Sequence, residues 1–217
     1  MTIWFDALLK LGPTYGYYPK PAKCILLAKP DRLDLAMKVF KGSGIDVQTE
    51  GAKDSGIEII TTGTRHLGAA VGTDSFKQSY VKKKVDAWIQ CIKTLSIVAA
   101  SEPHAVCTHC LQNQWTFLCR SMPGDPSLFQ PLEDAIRMIF IPALLRREVN
   151  DLERNLLLPA LMGGLGICKP TEQCEISHAN SNYVCAPLVR LVQRQEFGFD
   201  PADLFVKSRS CAAISTS

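Results

Sequence analysis

Apolar residues recur at helical spacing along most of the chain, and the first third also contains short apolar runs that are typical of strands. The longest helical pattern begins at Thr73-Asp74 and is expected to run to about Ser101, because Pro103 follows it. A helix capped by Asp125 or Ser127 should carry an apolar face to Phe140, and Pro142 is expected to kink or end it. Shorter helical patterns cover 1–12, 31–42, 104–121, 151–158 and 184–195.

Three segments of the first third have the composition of strands or turns. Cys24–Ala28 is a continuous apolar run between lysines, and this pattern predicts a buried strand. His66–Gly72 is apolar and flanked by glycine, which predicts a strand or turn. Gly163–Ile167, much later in the chain, should form a flexible turn that leads into Cys168.

The segment 41–64 contains an internal repeat. Residues 41–52 align with residues 53–64, and six of the twelve positions are identical. Each copy has a Ser-Gly turn and a short β-branched run, so each copy predicts one strand. Two explanations remain open: a natural hairpin, or a tandem duplication that lengthens a loop. The degree of identity favours duplication, since two hairpin strands do not need to be so alike.

These patterns together predict an α+β fold with two parts. Residues 1–72 should form a small β-hairpin and helix unit, and residues 73–200 an all-helical domain. The boundary is expected at Gly72-Thr73. The tail from Ser208 to Ser217 is small and polar, and we expect residues 201–217 to be disordered.

Composition and charge narrow the class of protein without naming a function. The chain has 217 residues, 47% of them hydrophobic, which is enough for a globular core. It contains no apolar stretch long enough for a membrane span and no secretory signal, so an intracellular protein without membrane contact is expected. Residues 1–100 hold 14 Lys+Arg and 9 Asp+Glu, whereas the remainder is slightly acidic. This asymmetry weakly favours an anionic partner.

The nine cysteines are expected to be reduced thiols rather than a disulfide framework, because their number is odd and their spacing irregular. Cys107 and Cys110, with His104 and His109 beside them, form half of a zinc-site pattern. No second pair follows at the required spacing, so we expect these residues to lie on a helix. A zinc module remains a third hypothesis, and it predicts about one equivalent of bound zinc.

Other candidate chemistry is weak. The glycines of 163–166 match neither a dinucleotide-binding fingerprint nor a phosphate loop. Adjacent acids such as Glu133 and Asp134 do not face one another on a helix and are expected to be surface charge. Lysines on the long helix suit contacts with phosphate, although an ordinary solvated face explains them about equally well. These lysines are Lys77, Lys82, Lys83, Lys84 and Lys93.

Four blocks of sequence, in order over about residues 4–170, resemble the reverse transcriptases of animal retrotransposons. The first is Trp4-x-Asp6 with the Gly-Pro-x-Tyr-Gly-Tyr-Tyr-Pro run of 12–19, which resembles the segment after the catalytic Tyr-x-Asp-Asp hairpin. Residues 61–73 resemble the primer-grip strand of that family. Residues 129–143 resemble a thumb helix. Residues 158–167 resemble the segment that commonly ends the thumb region in that family.

This resemblance implies a polymerase fragment: residues 1–72 the distal edge of the palm, and residues from 73 the thumb. Lys23 matches the lysine that in polymerases steadies nucleotide phosphates or protonates the leaving pyrophosphate. Arg65, His66 and Gly68 would belong to the primer grip. The basic side of the long helix, with Lys77, Lys82, Lys83 and Lys84, would face an RNA–DNA or DNA template-primer duplex.

The resemblance also implies that Mg²⁺ serves the parent polymerase, held by aspartates that belong upstream of Trp4. This chain has no Tyr-x-Asp-Asp, so it is expected to bind no metal itself, to need the missing upstream palm and fingers, and to be inactive alone. The alternative is a stand-alone helical module that binds nucleic acid or protein. Salt-dependent binding to a duplex would separate these two kinds of partner.

Overall fold

The computed structural model describes residues 2–42, 47–49, 56–98, 102–150 and 164–194. The fold is α+β, mostly helical with two small sheets, as the sequence predicts. The chain divides into two compact units, Met1–Tyr80 and Val81–Ser217, and this division lies inside the long helix. The predicted domain boundary at Gly72-Thr73 stays a prediction. The predicted helix at 151–158 and the predicted disordered tail lie outside the described residues.

The first unit begins with helix and alternates short strands with turns. Its elements, in chain order, are α1 Thr2–Leu11, β1 Ile25–Leu27, α2 Leu33–Gly42, β2 Val47–Thr49, β3 Ile57–Ile60, β4 Gly63–His66 and β5 Ala69–Gly72, followed by the start of α3 Asp74–Ile97. Three single turns of 3-10 helix lie between them. Two of these turns flank β1, at Pro21–Lys23 and Pro30–Arg32, where proline supplies the required φ.

A three-stranded parallel sheet in the order β1-β3-β2 forms the centre of this unit. Ile25 pairs with Glu58 and Leu27 with Ile60, so β3 is the central strand. Its isoleucines are buried, and Ile57 packs in a cluster with Phe5 of α1 and Phe40 of α2. Because a central parallel strand is buried on both faces, the isoleucine-rich composition of β3 is the expected one.

The structure corrects the prediction that 24–28 is a buried strand. The segment does contain a strand, but Ile25 is 49% exposed and Leu26 and Leu27 are only half-buried. The reason is position: β1 lies at an edge of the sheet, whereas the fully buried central place belongs to β3. A continuous apolar run does not distinguish an edge strand from a central one.

The two copies of the repeat form neighbouring parallel strands, so the hairpin interpretation is wrong. Val47 pairs with Ile57 and Thr49 with Ile59, both in the parallel sense. The pairing offset is ten residues and the repeat length is twelve. Because side chains alternate with a period of two, equivalent residues of the two copies face the same side of the sheet.

A second, two-stranded antiparallel sheet is formed by β4 and β5, in which Gly63 pairs with Gly72 and His66 with Ala69. It leads directly into α3, whose first turn is capped by Thr73. The Thr73 hydroxyl accepts a hydrogen bond from the Phe76 N–H at 3.3 Å and can donate to the Thr62 carbonyl at 3.0 Å. The cap therefore joins the start of α3 to the residue before β4.

The second unit is entirely helical in its described part. It contains the rest of α3, then α4 Pro103–Ala105, α5 Gln112–Ser121, α6 Pro126–Ala135, α7 Ile141–Leu145 and α8 Pro170–Arg194. A π-helical turn joins α4 to α5 over Val106–Leu111, and another joins α6 to α7 over Ile136–Phe140. The predicted cap is present, since the Ser127 N–H donates to the Asp125 carboxylate at 2.9 Å.

Pro142 does not end the helix that contains it, although the sequence predicts a kink or an end there. The π-helical turn precedes it, and α7 continues past it to Leu145. Proline lacks an N–H, and the wider hydrogen-bonding pattern of a π turn is one way a helix accommodates such a residue. The helix ends where Arg146 adopts a left-handed conformation, with φ of 53°.

Two tryptophans mark the core of the second unit. Trp88 of α3 and Trp115 of α5 pack edge to face, with ring centroids 6.2 Å apart. The Trp88 indole N–H donates to the Gln114 side chain at 3.1 Å. Ile92, Leu132 and Ile136 of the same unit are also fully buried. Such pairs add to the stability that comes from area burial alone.

Glu133 corrects another prediction, because it is buried rather than part of the surface charge. It is 4% exposed, and its carboxylate accepts hydrogen bonds from the Arg137 guanidinium at 2.7 Å and from the Thr171 hydroxyl. A buried carboxylate is stable only with such partners. The Glu133 side chain therefore joins α6 to the first turn of α8.

Helix α8 is longer than predicted, since it begins at Pro170 and not near residue 184. Side chains of the helical segment 103–121 make hydrogen bonds to the turn that precedes α8. His104 lies 2.6 Å from the Leu165 carbonyl, and the Gln112 amide oxygen accepts the Cys168 N–H at 2.9 Å. None of the helices described here has the length and the apolar character that crossing a membrane requires.

Candidate nucleic-acid interface

The tip of the β4–β5 hairpin carries the most unusual backbone of the first unit. Leu67 and Gly68 both have positive φ, at 48° and 90°. This is the pattern of a two-residue type I′ turn, which suits the twist of a hairpin but favours asparagine and glycine. Leucine in this conformation costs roughly 1–2 kcal/mol. Its side chain is also 84% exposed, so burial offers no compensation.

A hydrogen bond attaches the hairpin tip to α3. The Tyr80 hydroxyl donates to the Gly68 carbonyl at 2.8 Å. Arg65 and His66 come immediately before the turn, and both side chains are exposed. The guanidinium of Arg65, the imidazole of His66 and the apolar side chain of Leu67 are thus exposed at consecutive positions, next to a turn that Tyr80 fixes. Exposed groups of these kinds can contact the phosphates, sugars and bases of a nucleic acid.

The base of the hairpin, where Gly63 pairs with Gly72, leaves no space for a side chain at either position. A Cβ atom on Gly72 would collide with backbone atoms of Thr62 and Gly63, and one on Gly63 would collide with the Phe76 ring. Glycine is needed at both positions because backbone approaches backbone or ring there. The base of the hairpin is therefore fixed against the first turn of α3.

A cleft of about 340 Å³ lies beside this base. One side is formed by Leu27, Ala28 and Thr61, which lie at the carboxyl ends of the parallel strands β1 and β3. Val71 and Thr73 line another side, next to the start of α3. In open α/β sheets, ligands bind in crevices at the carboxyl ends of strands, and this cleft has that location.

Two lysines line the cleft. The Lys77 ammonium forms an ion pair with Asp74 at 3.2 Å, on the first turns of α3. Lys29 is exposed and forms no ion pair with any residue in the described part of the chain. An ammonium group has three donors, so the pair with Asp74 leaves donors of Lys77 for other acceptors. The cleft combines apolar walls with a net positive charge.

The remaining predicted residues lie elsewhere. Lys23 is exposed in the 3-10 turn before β1, at the opposite end of that strand from the cleft. Lys82 and Lys83 are exposed on α3 and Lys84 is half-buried there, all within the second unit. The structure therefore groups Arg65, His66 and Gly68 at the hairpin tip and assigns Lys77 to the cleft.

The cysteines and histidines of the second unit do not form a metal site in the residues the structure covers. No group of three or more His, Cys, Asp or Glu is placed to hold an ion there. Cys107 is buried and Cys110 is exposed, although both lie in the π-helical turn Val106–Leu111. Burial raises the pKa of the Cys107 thiol from its ordinary value of 9.0 to about 12, which keeps it protonated.

Sequence reasoning missed the cleft, the hydrogen bond from Tyr80 to the hairpin tip and the place of Lys29 in the cleft lining. The spacing does contain a signal for Lys29, since it follows an apolar run directly and so lies at a strand's carboxyl end. The sequence contains no comparable signal for the hydrogen bond between Tyr80 and Gly68, because these residues are twelve positions apart on different elements. Comparison with family models, curated proteins and solved structures gave no match to this chain.

Proposed function

We propose that this chain is the template-primer-binding part of a retrotransposon reverse transcriptase and contributes duplex binding to RNA-directed DNA synthesis. One observation carries the proposal: the segment that resembles a primer grip is an exposed hairpin whose tip holds Arg65, His66 and a strained Leu67. Backbone strain that persists at an exposed turn is often maintained by function. An intracellular place of action belongs to the same proposal.

The chain's own contribution is binding and positioning. Arg65 can bind a backbone phosphate through its guanidinium, and His66 can donate to a phosphate or sugar oxygen. Leu67 offers an apolar contact to a sugar or base. Tyr80 fixes the turn, so that these groups are held before the duplex arrives. In the second unit, Lys82 and Lys83 are exposed on α3 and are separate candidates for sequence-independent phosphate contacts.

Nucleotidyl transfer in such polymerases uses Mg²⁺, which holds and polarises the reacting oxygens. The described residues supply no group of three metal ligands, so they do not fit this role. Lys23 is exposed and could contact a nucleotide phosphate only with partners from the rest of a polymerase. Transfer would therefore depend on carboxylates of the upstream palm.

Duplex binding can be tested with a fluorescent RNA–DNA hybrid titrated at salt concentrations between about 50 and 200 mM. We expect binding that weakens with salt, and a double variant Arg65→Gln/His66→Gln that binds several-fold more weakly with a smaller salt slope. Lys38→Gln is the control, since Lys38 is exposed on α2, away from the hairpin. Absence of binding at the lowest salt, or equal losses in both variants, would contradict the proposal.

A further inference from the structure

The cleft at the carboxyl ends of β1 and β3 has features that duplex binding by the hairpin tip does not use. Its volume of about 340 Å³ is at the lower end of the range for small-molecule sites. That volume suits one small ligand rather than a duplex. The cleft also lies at the base of the hairpin, whereas Arg65, His66 and Leu67 lie at its tip.

The chemistry of the lining selects a class of ligand. Lys29 and Lys77 offer ammonium groups, and Thr73 lies on the same lining. Leu27, Pro30 and Val71 provide apolar surface beside these cations. Phosphate oxygens accept charge-assisted hydrogen bonds from ammonium groups, whereas the apolar wall suits a sugar edge or a base.

The position of the polar groups sets an orientation. Lys29 follows β1 directly, and Lys77 lies one turn into α3, so the cations approach the cleft from two different elements. Asp74 pairs with Lys77 and is itself 91% exposed at its side chain. This carboxylate reduces the local positive charge without removing it, because Lys29 has no acidic partner in the described chain.

We propose that this cleft binds a nucleoside 5′-phosphate, with its phosphate at Lys29 and Lys77 and its nucleoside against Leu27, Pro30 and Val71. The same chemistry has two sources, a free mononucleotide or the 5′-phosphorylated end of a nucleic-acid strand. The inference does not depend on the proposed function, since it uses none of the residues at the hairpin tip.

Isothermal titration of the full chain with deoxythymidine 5′-monophosphate tests the site, with deoxythymidine as the ligand that lacks the phosphate. We expect saturable binding of the nucleotide and at least tenfold weaker binding of the nucleoside. Lys29→Gln and Lys77→Gln should each weaken nucleotide binding by roughly tenfold, because each removes a charged donor. Lys38→Gln is the matched control and should change nothing.

The two sources separate in a competition experiment. A short oligonucleotide with a 5′-phosphate should displace the mononucleotide if the cleft accepts a strand end, and its 5′-hydroxyl counterpart should not. Displacement by the 5′-phosphorylated oligonucleotide would identify a strand end as the ligand. If neither oligonucleotide displaces the mononucleotide, the ligand is a free nucleotide. No binding of the mononucleotide, or equal binding in Lys29→Gln, Lys77→Gln and Lys38→Gln, would overturn the proposal and leave duplex binding at Arg65 and His66 unaffected.

Discussion

Leu67 shows how a single residue can work against the local structure that contains it. A two-residue turn with positive φ at both positions is most stable as Asn-Gly, yet this hairpin has Leu-Gly. The Leu67 side chain is exposed and so adds no stability through burial, and leucine disfavours the positive φ that this position requires. A residue that is unfavourable in both respects is best explained by a contact made outside the chain.

Replacement Leu67→Asn should therefore stabilise the protein and weaken duplex binding. Asparagine tolerates the left-handed conformation, so we expect a gain of about 1 kcal/mol in the free energy of unfolding. Denaturant titration measures that gain, and anisotropy measures binding to the RNA–DNA hybrid. Leu67→Ala is the comparison, because it removes the apolar side chain without relieving the backbone. Unchanged duplex affinity in both variants would show that Leu67 makes no such contact.

Strands and helices differ in how well local sequence predicts them here. The predicted helices at 1–12, 31–42 and 104–121 are present, because their apolar spacing and their glycine and proline stops are encoded locally. The pairing of β1, β2 and β3 is not encoded locally. An apolar run specifies neither which strand pairs with it nor whether the two strands are parallel. Parallel order depends on contacts between residues about thirty positions apart, such as Ile25 and Glu58.

The repeat suggests that one strand of the sheet is dispensable. Excising residues 41–52 joins Phe40 to Lys53 and leaves Ser55-Gly56-Ile57 in place of Ser43-Gly44-Ile45. The pair β1–β3 and the cap of α3 keep all their residues, and Lys53-Asp54 replace Lys41-Gly42 at the end of α2. We therefore expect a folded protein that lacks the edge strand β2. Its melting temperature should fall by less than about 5 °C.

Excision of residues 53–64 is the matched control. It leaves the first copy to supply the central strand, and Gln48 would then occupy the place of Ile60, which is 5% exposed. Burying an amide there costs roughly 1–3 kcal/mol unless it finds a partner, so this second variant should melt at a lower temperature. Equal melting temperatures would show that the two copies are interchangeable and that β3 has no special fit.

At the scale of the whole molecule, burial of polar and thiol groups is what the sequence predicts least well. Glu133 and Asp134 are adjacent acids, yet one is buried and the other exposed. Contacts with Arg137, one turn later on the same helix, and with Thr171 of α8 distinguish Glu133 from its neighbour. The thiols behave similarly, since Cys107, Cys119 and Cys174 are buried whereas Cys91, Cys110 and Cys185 are exposed.

These buried thiols should make the protein sensitive to alkali. Burial, above all, raises the pKa of Cys107 and Cys119 from 9.0 to about 12 and that of Cys174 to about 11. Between pH 9 and 11 the folded thiols keep protons that the unfolded chain releases. The free energy of unfolding should therefore fall as pH rises through this window, by at most about 1.4 kcal/mol per pH unit for each thiol.

Denaturant titrations at several pH values measure this slope. Cys107→Ala removes one buried thiol and should flatten the slope, whereas Cys91→Ala removes an exposed one and should leave it unchanged. A slope that is the same in the parent and in both variants would mean that the buried thiols do not control alkaline stability.

The two π-helical turns have a consequence for how the helical unit tolerates changes in length. A π turn closes its hydrogen bond over one residue more than an α turn, so it contains one residue that an uninterrupted α-helix would not need. Loss of a single residue within Val106–Leu111 or Ile136–Phe140 could convert the turn to regular α-helix. Elsewhere in these helices, the same deletion would rotate every later side chain away from the core. These two segments are therefore where the unit can best absorb a one-residue deletion during sequence drift.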